Sequence, residues 1–328
     1  MKKITALFTA AVLAASVGIT AHADGDSLVV LGDSITSGYG LDGYVSGDNY
    51  SAAGSFANRL GKNYTEYSNF AVDGRTTSEL LTALEDVDIS AALAGADTVV
   101  VSIGGNDFLQ PMMTAAFNAA SENQELFGML SGAFSGASGS EEAADALDSD
   151  NYLDAMMEFM RVMTEAADSV DIQQVVGNID SILGTVSDKS PESQIIVLTV
   201  YNPFEGVTGM ELFDTMARTK LEELNSGIAS AAEKNGAQVA DVHAAFAGHA
   251  LEYTNISSMD IHPNKDGHGV IYQLLLDITG ADLNSTAEET TLPADGKGSP
   301  DTGVSGFAVV AGVAALAGAI LVISRKRS

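Results

Sequence analysis

Five short apolar runs constrain the fold of this chain more than any other feature. They are rich in Val, Ile and aromatic residues, and segments with helical periodicity separate them. The runs are SLVVL (27–31), EYSNFAV (66–72), DTVVVSI (97–103), QIIVLTV (194–200) and AQVADV (237–242). Continuous apolar strands that alternate with helices indicate a mainly parallel sheet covered on both faces. We therefore predict a three-layer α/β/α sandwich with a five-stranded sheet, with ligands bound at the carboxyl ends of the strands.

Two of the intervening segments carry clear helix signals. Thr76 and Glu79 have the spacing of a capping box, which predicts a helix start at TTSELLTALEDV. The segment from 209 to 236 has helical periodicity and ends on Gly236, a residue type favoured just after a helix.

The connection between the third and fourth runs is unusually long. Residues 108–193 exceed what a single crossover helix requires, and seven of the chain's 11 methionines fall there. Leu153, Met156, Met160 and Met163 recur at helical spacing, so we predict a helical insert at about 108–193. Two interpretations remain open: methionine fills the insert's own core, or it forms an adaptable apolar lid over the site.

Both ends of the chain carry features of an exported, anchored protein. Residues 1–23 have two lysines, an uncharged apolar stretch and the ending Ala-His-Ala, which is the layout of a secretory signal peptide. We predict cleavage after Ala23 and a domain from 24 to 280. Residues 304–323 contain no charge and are long enough to span a bilayer as a helix. The basic tail at 324–328 predicts a cytoplasmic end.

A possible sorting motif, Ser-Pro-Asp-Thr-Gly, precedes the apolar stretch. It lies at the end of a polar tether, 281–302, and consists of Ser299, Pro300, Asp301, Thr302 and Gly303. With the apolar segment and the basic tail, it resembles the cell-wall sorting signals of Gram-positive bacteria, commonly LPxTG, although Ser299 stands where Leu is usual. The resemblance implies sortase and the cell wall as partners. A plain single-pass membrane anchor is the alternative, and both place residues 24–302 outside the membrane.

Composition excludes several classes of function. The two terminal segments hold five basic and no acidic residues, so the region between them has 10 basic and 44 acidic residues, a net charge of −34. Such a surface repels nucleic acid, whose binding depends on Lys and Arg contacts to phosphate. The chain has no cysteine, which excludes disulfides and cysteine-ligated metal. We predict no cofactor and no metal site. Asp260, His262, Asp266 and His268 could be drawn as a metal cluster, but such loops more often use one histidine for chemistry and leave the other side chains hydrogen-bonded or solvated.

The first apolar run ends on a possible nucleophile. In VLGDSITSGYG, Ser34 falls at the carboxyl end of the first predicted strand. A serine needs a base to attack, and His262 lies in a late loop, DIHPNKDGHG, just before an apolar helix. Asp33 is expected to hold the turn and not to act in catalysis.

Two more strand ends supply possible hydrogen-bond donors. Gly74 follows the second strand in NFAVDGRTT, and Asn106 follows the third in SIGGND. The backbone N–H groups of Ser34 and Gly74 and the amide of Asn106 could together form an oxyanion hole.

The joint order of these pieces resembles the GDSL esterase and lipase family, also called SGNH hydrolases. LGDSIT, GGND and HPN carry the resemblance, which covers residues 27 to about 280. It implies a flavodoxin-like sandwich, with Ser34 as nucleophile, Gly74 and Asn106 as oxyanion donors and His262 as general base. The family usually has Asp three residues before the histidine, where this chain has Met259. Either Asp260 or a backbone carbonyl then orients His262, and we favour Asp260 because a carboxylate also stabilises the imidazolium.

These observations predict an extracellular serine esterase or lipase. The substrate is left open between fatty or lipid esters, which an apolar lid favours, and O-acetylated wall glycan, which anchoring favours. Two alternatives share the same residues: a catalytically silent surface binding protein, and an acyltransferase that differs only in its acceptor. The oligomeric state is unknown from the sequence.

Overall fold

The computed structural model describes residues 26–122, 150–208, 210–258 and 260–280. Five strands form one parallel sheet in the order β2-β1-β3-β4-β5. Their bounds are β1 Ser27–Gly32, β2 Glu66–Asn69, β3 Thr98–Ser102, β4 Gln194–Leu198 and β5 Gln238–Ala240. Each of the five apolar runs therefore contains a strand, and the predicted five-stranded sandwich is confirmed.

The strands of the described chain alternate with helices on both sides of the sheet. The helices are α1 Ser34–Ser37, α2 Phe56–Gly61, α3 Thr77–Ala83, α4 Val87–Ala94, α5 Gly105–Glu122, α6 Asp150–Asp168, α7 Ile172–Lys189, α8 Glu211–Asn235, α9 Val242–Phe246, α10 Ala250–Tyr253 and α11 Lys265–Thr279. The capping box of Thr76 and Glu79 is present at the start of α3. Helix α8 ends at Gly236, whose φ of 70° is left-handed, as the sequence predicted.

Successive strand residues point to two separate cores. Val29 and Leu31 of β1 join a large cluster with α3 to α8, whereas Leu28 and Val30 join a second cluster with α2, α9 and α11. Every residue of β1 and β3 is buried. Burial on both faces explains why these strands read as unbroken apolar runs and not as alternating ones.

The strand order contains a reversal between β1 and β3. The chain leaves β1 for β2 on one side, and it crosses back to β3 on the other side of β1. In open parallel sheets such a switch point opens a crevice at the carboxyl ends of the two strands, where ligands bind. The segments that follow β1 and β3 contain Ser34 and Asn106 respectively.

The described part of the long connection is helical. It includes α5, α6 and α7, and the residues from 123 to 149 lie outside the described chain. Helix α7 packs on α3, α4, α8 and β4, so it covers the sheet as an ordinary crossover helix does. Helices α5 and α6 pack on each other, and they are the addition to the basic sandwich.

The predicted terminal features lie outside the described residues. These are the signal peptide, the tether, the sorting motif and the 304–323 segment. Within the residues that the structure describes, no helix combines the length and the apolar character needed to cross a membrane.

Gly267 fixes how closely the last helix packs against the end of α10. A Cβ atom at Gly267 would lie 2.0 Å from the carbonyl oxygen of Tyr253. Asn264 caps the same helix end, because its side chain accepts hydrogen bonds from the N–H groups of Asp266 and Gly267.

We expect Gly267→Ala to lower the free energy of unfolding by about 2 kcal/mol or more, since backbone must move to relieve the overlap. The control is Gly177→Ala in α7, where a Cβ atom would meet nothing within 4 Å. Replacing glycine in a helix usually stabilises it by about 0.5–1 kcal/mol. Urea denaturation of both variants measures the contrast, and equal stability of the two would contradict this account of Gly267.

Candidate active site

Ser34 begins helix α1 directly after strand β1. Asp33 caps that helix, and its Oδ1 accepts a hydrogen bond of 3.0 Å from the N–H of Ile35. A Cβ atom at Gly32 would lie 2.1 Å from Thr36 Oγ1 and 2.8 Å from the carbonyl oxygen of Ser102. The strand can turn into a helix this abruptly only because residue 32 has no side chain.

Ser34, His262 and Asp260 form a connected row of hydrogen bonds. The Nε2 atom of His262 lies 3.0 Å from Ser34 Oγ, and its Nδ1 atom lies 2.5 Å from Asp260 Oδ1. The backbone N–H of His262 also donates to Asp260 Oδ1, at 3.0 Å. A carboxylate at Nδ1 favours the tautomer with its proton there, which leaves Nε2 able to accept the serine proton.

The charge of Asp260 is favoured by its partners. Burial raises the pKa of this carboxyl, but the hydrogen bonds from the ring and backbone of His262, the charge of that ring and a hydrogen bond from Asn255 together bring the pKa below its usual value. An ionised carboxylate at this place would stabilise a protonated imidazole.

Backbone contacts hold the loop of His262 in position. The N–H of Asn255 donates to the carbonyl oxygen of His262 at 2.9 Å. The hydroxyl of Tyr201, which follows β4, donates to the carbonyl oxygen of Ile261 at 2.6 Å. The histidine loop is thus attached to the carboxyl edge of the sheet through a neighbouring strand end.

Asn106 lines the same cleft as Ser34, and Gly74 follows β2 at the same edge of the sheet without lining that cleft. The Nδ2 atom of Asn106 donates to the carbonyl oxygen of Arg75 at 3.0 Å and, at 3.3 Å, to Asp33 Oδ2. Gly74 has a φ of 76°, which few other residues adopt. A substrate oxygen bound here would compete with Asp33 for the same amide hydrogen.

Asp33 is a buried carboxyl in an acidic neighbourhood. Burial raises its pKa to about 7, the hydrogen bond from Ile35 opposes this rise, and the charges of Asp73 and Asp107 add to it. Asp33 connects the turn of Ser34 to Asn106. Among the described residues, its side chain makes no hydrogen bond to His262 or to the hydroxyl of Ser34.

Two carboxylates at this edge were not singled out from the sequence. Asp107 accepts from the N–H of Thr77 at 2.9 Å and from its hydroxyl at 2.6 Å, which joins the segments after β2 and β3. Asp73 accepts from Ser37 Oγ at 2.6 Å and from the hydroxyl of Tyr44. Asp107 is the last residue of GGND, so its position beside Asn106 was an available signal.

An aromatic side chain packs against His262. The ring centroid of Tyr39 lies 4.5 Å from that of His262, and the two planes are inclined by 39°. Tyr44 packs in turn on Tyr39, with 5.1 Å between ring centroids. Nothing in the local sequence pairs a tyrosine of the glycine-rich segment after α1 with a histidine over 200 positions later, so only the fold reveals this contact.

The other histidine of the same loop has a different environment. His268 is fully buried, and its Nδ1 accepts a hydrogen bond of 3.2 Å from the N–H of Phe56. Burial lowers its pKa to about 3, with the charges of His262 and Arg59 adding to the effect, so the ring is neutral. Across the described residues, no group of three or more His, Asp and Glu side chains is arranged to hold a metal ion.

A cleft opens beside Ser34 and His262. Its lining includes Asp33, Ser34, Asn106 and His262, together with largely apolar side chains from α5, α6, α8 and the segment that follows β4. Ser34, His262 and Asn106 therefore all face one cleft.

Comparison with known proteins supports the resemblance seen in the sequence. The extracellular lipase of Streptomyces rimosus has a similar fold, with a TM-score of 0.52 and 19% identity over 78% of this chain and 100% of that one. Phospholipase A1 of Streptomyces albidoflavus NA297 matches with a TM-score of 0.50 and 22% identity, covering 78% of this chain and 99% of that one. No curated protein matches the sequence.

The family assignment comes from a sequence model that spans the whole sheet. The model of the GDSL-like lipase/acylhydrolase family matches residues 30–270, which is more than half of the chain. The match extends from the strand before Ser34 to the helix after His262. This chain accordingly belongs to the GDSL-like lipase/acylhydrolase family, a family of carboxylic ester hydrolases.

Proposed function

We propose that this protein is an extracellular serine esterase that hydrolyses carboxylic esters through an acyl-Ser34 intermediate. The observation that carries the proposal is the row of hydrogen bonds from Ser34 Oγ through His262 to Asp260. A hydroxyl at 3.0 Å from an imidazole nitrogen is within the range in which that nitrogen can remove its proton.

In the proposed mechanism, His262 Nε2 takes the Ser34 proton as Oγ attacks the ester carbonyl carbon. The imidazolium then donates that proton to the leaving alcohol, which leaves the acyl group on Ser34. Water, deprotonated by His262, attacks the acyl-enzyme and releases the carboxylic acid. Asp260 keeps the ring oriented and stabilises its positive charge throughout.

The developing oxyanion is proposed to bind the N–H groups of Ser34 and Gly74 and the amide of Asn106. Ser34 is the first residue of α1, where backbone N–H groups have no partner within the helix. Asn106 supplies the third donor from the start of α5. Each such donor contributes about 3 kcal/mol of transition-state stabilisation in enzymes of comparable design.

Asp260 is better supported than a backbone carbonyl as the group that orients His262. Its carboxylate contacts both the ring Nδ1 and the backbone N–H of the histidine, although it stands only two residues before it. The single carboxylate thus accepts two hydrogen bonds from His262. A carboxylate two residues before the histidine can therefore orient the ring, even though the usual spacing is three residues.

Replacing the proposed catalytic side chains tests the mechanism. We expect Ser34→Ala and His262→Ala each to lower kcat for p-nitrophenyl butyrate by about 10³-fold or more, and Asp260→Asn by about 10²-fold or more. Purified residues 24–302 serve for the assay, and a fluorophosphonate probe should label the wild type but not Ser34→Ala.

Each negative result has its own meaning. A wild type that neither reacts with the probe nor turns over ester would support the silent binding protein instead. Unchanged turnover in Ser34→Ala would overturn the acyl-serine mechanism. Faster consumption of ester when a sugar alcohol is added, with acylated sugar as product, would favour the acyltransferase.

Export and anchoring are proposed from the terminal segments alone. We expect the full chain to stay with the cell wall of a Gram-positive host, and Thr302→Ala to leave it in the membrane, because sortase joins the threonine of its motif to the wall. Cell fractionation with immunoblotting measures the difference. Membrane retention of both forms would favour the plain single-pass anchor.

Asp33 is proposed to be structural, and its raised pKa predicts how it affects stability as the pH changes. Its folded pKa is about 7 against an ordinary 3.8, so ionisation is harder in the folded state than in the unfolded state. The free energy of unfolding contributed by this group is therefore highest below about pH 4 and declines as pH rises towards about 7.

We expect Asp33→Asn to remove this decline, so that the variant gains stability relative to the wild type between about pH 4.5 and about pH 7.5. Urea unfolding at the two pH values measures the difference. Asp42→Asn is the control, because Asp42 is exposed. Parallel pH dependence in wild type and Asp33→Asn would contradict the assignment.

A further inference from the structure

One short segment of the chain contacts both Ser34 and His262. The backbone N–H of Tyr39 donates to the carbonyl oxygen of Ser34 at 3.0 Å, and the ring of Tyr39 packs on that of His262 with 4.5 Å between ring centroids. Ser34 and His262 are 228 positions apart in the sequence. Tyr39 therefore connects two residues of the site that only the fold brings together.

Two glycines set the position of this tyrosine. Gly38 and Gly40 both have a φ of 83°, in the left-handed region that favours glycine. A Cβ atom at Gly38 would lie 2.7 Å from the Cβ atom of Ser55, and one at Gly40 would lie 3.0 Å from Asp260 Oδ2. The backbone on either side of Tyr39 comes this close to its neighbours because these residues have no side chain. Its path brings the tyrosine next to the pair formed by Asp260 and His262.

A second aromatic side chain supports the ring of Tyr39. Tyr44 packs on it with 5.1 Å between ring centroids, and the hydroxyl of Tyr44 donates to Asp73. Asp73 also accepts a hydrogen bond of 2.6 Å from Ser37 Oγ, in the helix that Ser34 begins. Tyr39 is therefore in contact with a side chain that is itself held in place, which restricts its own rotamers.

Tyr39 is not placed to contact substrate or to carry a proton. In the described part of the chain, the lining of the cleft includes His262 but not Tyr39. Burial and the negative charges of Asp260 and Asp73 raise the pKa of the Tyr39 hydroxyl above its usual value, so it stays protonated at neutral pH. Tyr39 can affect the reaction only through the groups that it contacts.

The position of the imidazole ring decides whether the serine proton can be transferred. Nε2 must stay within hydrogen-bond distance of Ser34 Oγ, which is 3.0 Å away in this structure. Hydrogen bonds hold the ring of His262 at its two nitrogen atoms, and packing against Tyr39 limits tilting of the ring plane. Displacement of a catalytic group by about 1 Å can cost about 100-fold in rate.

We propose that Tyr39 is a positioning residue whose aromatic ring holds the His262 imidazole in the orientation that brings Nε2 to Ser34 Oγ. This inference rests on the proposed function, because it assigns a role in the same proton transfer. The role belongs to the ring and not to the hydroxyl, so phenylalanine should replace tyrosine. The backbone hydrogen bond to Ser34 ties the ring to the turn of the nucleophile.

The test compares three substitutions at position 39 with p-nitrophenyl butyrate as substrate. We expect Tyr39→Ala to lower kcat by about tenfold to 100-fold and to change KM by less than about threefold, because the substrate does not contact this side chain. Tyr39→Phe should stay within about threefold of the wild type. Tyr39→Leu fills space without a flat ring and should lower kcat by about tenfold, and it replaces Tyr39→Ala if that variant does not fold.

Tyr64→Ala is the matched control. Tyr64 is also a half-buried tyrosine, but its hydroxyl contacts Thr98 at the first position of β3, at the opposite end of that strand from the site. We expect this substitution to lower the free energy of unfolding and to leave kcat within about threefold of the wild type. The control separates loss of stability from loss of positioning.

A spectroscopic measurement reports on His262 without turnover. The proton on Nδ1 is expected to give a far-downfield proton NMR signal, because it lies in a hydrogen bond to the carboxylate of Asp260. The signal should be present in the wild type and in Tyr39→Phe, and it should be broadened or lost in Tyr39→Ala as the ring becomes mobile. Asp260→Asn identifies the signal by removing it.

The outcomes separate the two levels of inference. Wild-type kcat in Tyr39→Ala, a loss that Tyr39→Phe does not restore, or an equal loss in Tyr64→Ala would overturn the positioning role and leave the serine esterase intact. A wild type without esterase activity would overturn the proposed function. The NMR signal then decides by itself whether Tyr39 orders His262: loss in Tyr39→Ala but not in Tyr39→Phe supports this, and an unchanged signal in Tyr39→Ala overturns it.

Discussion

The parallel register of β1 against β3 is the constraint on which the whole site depends. Gly32 pairs with Ser102 at the last position of both strands, so the segments that follow β1 and β3 leave the sheet side by side. Asp33 and Asn106 then come within hydrogen-bond distance although 73 residues separate them. The reversal of strand order at this place opens the crevice into which Ser34 projects. The remaining parts of the site are attached to this pair of strand ends.

Close packing at the site requires glycine at two positions, and it buries the carboxyl group of Asp33. Glycine at 32 and 267 allows backbone and side-chain oxygens to approach within distances that a Cβ atom would forbid. Asp33 ties the nucleophile turn to the next strand end, and burial raises its pKa to about 7. The same carboxyl therefore joins two strand ends in a buried place that disfavours its ionisation.

The sheet and the long connection have separate roles. The sheet edge supplies the polar groups of the candidate site, because parallel strands bring their carboxyl ends together. Helices α5 and α6 contribute apolar side chains to the lining of the cleft. Met112 and Met163 belong to the main core and also line the cleft. The same methionine side chains therefore fill the core and form part of the wall of the site.

The sequence by itself determined the strands and their parallel arrangement, and it singled out the candidate site residues. Apolar runs of this kind can be recognised in the sequence because β1 and β3 are buried on both faces and therefore consist mainly of apolar residues. The capping box at Thr76 and the stop at Gly236 are equally local signals. Only the tertiary structure decided which carboxylate meets His262, that Tyr39 packs on its ring, and that Asn106 donates to Asp33. These contacts join segments far apart in the chain or depend on the path of a tight loop. Their geometry follows from packing, which no local residue pattern records.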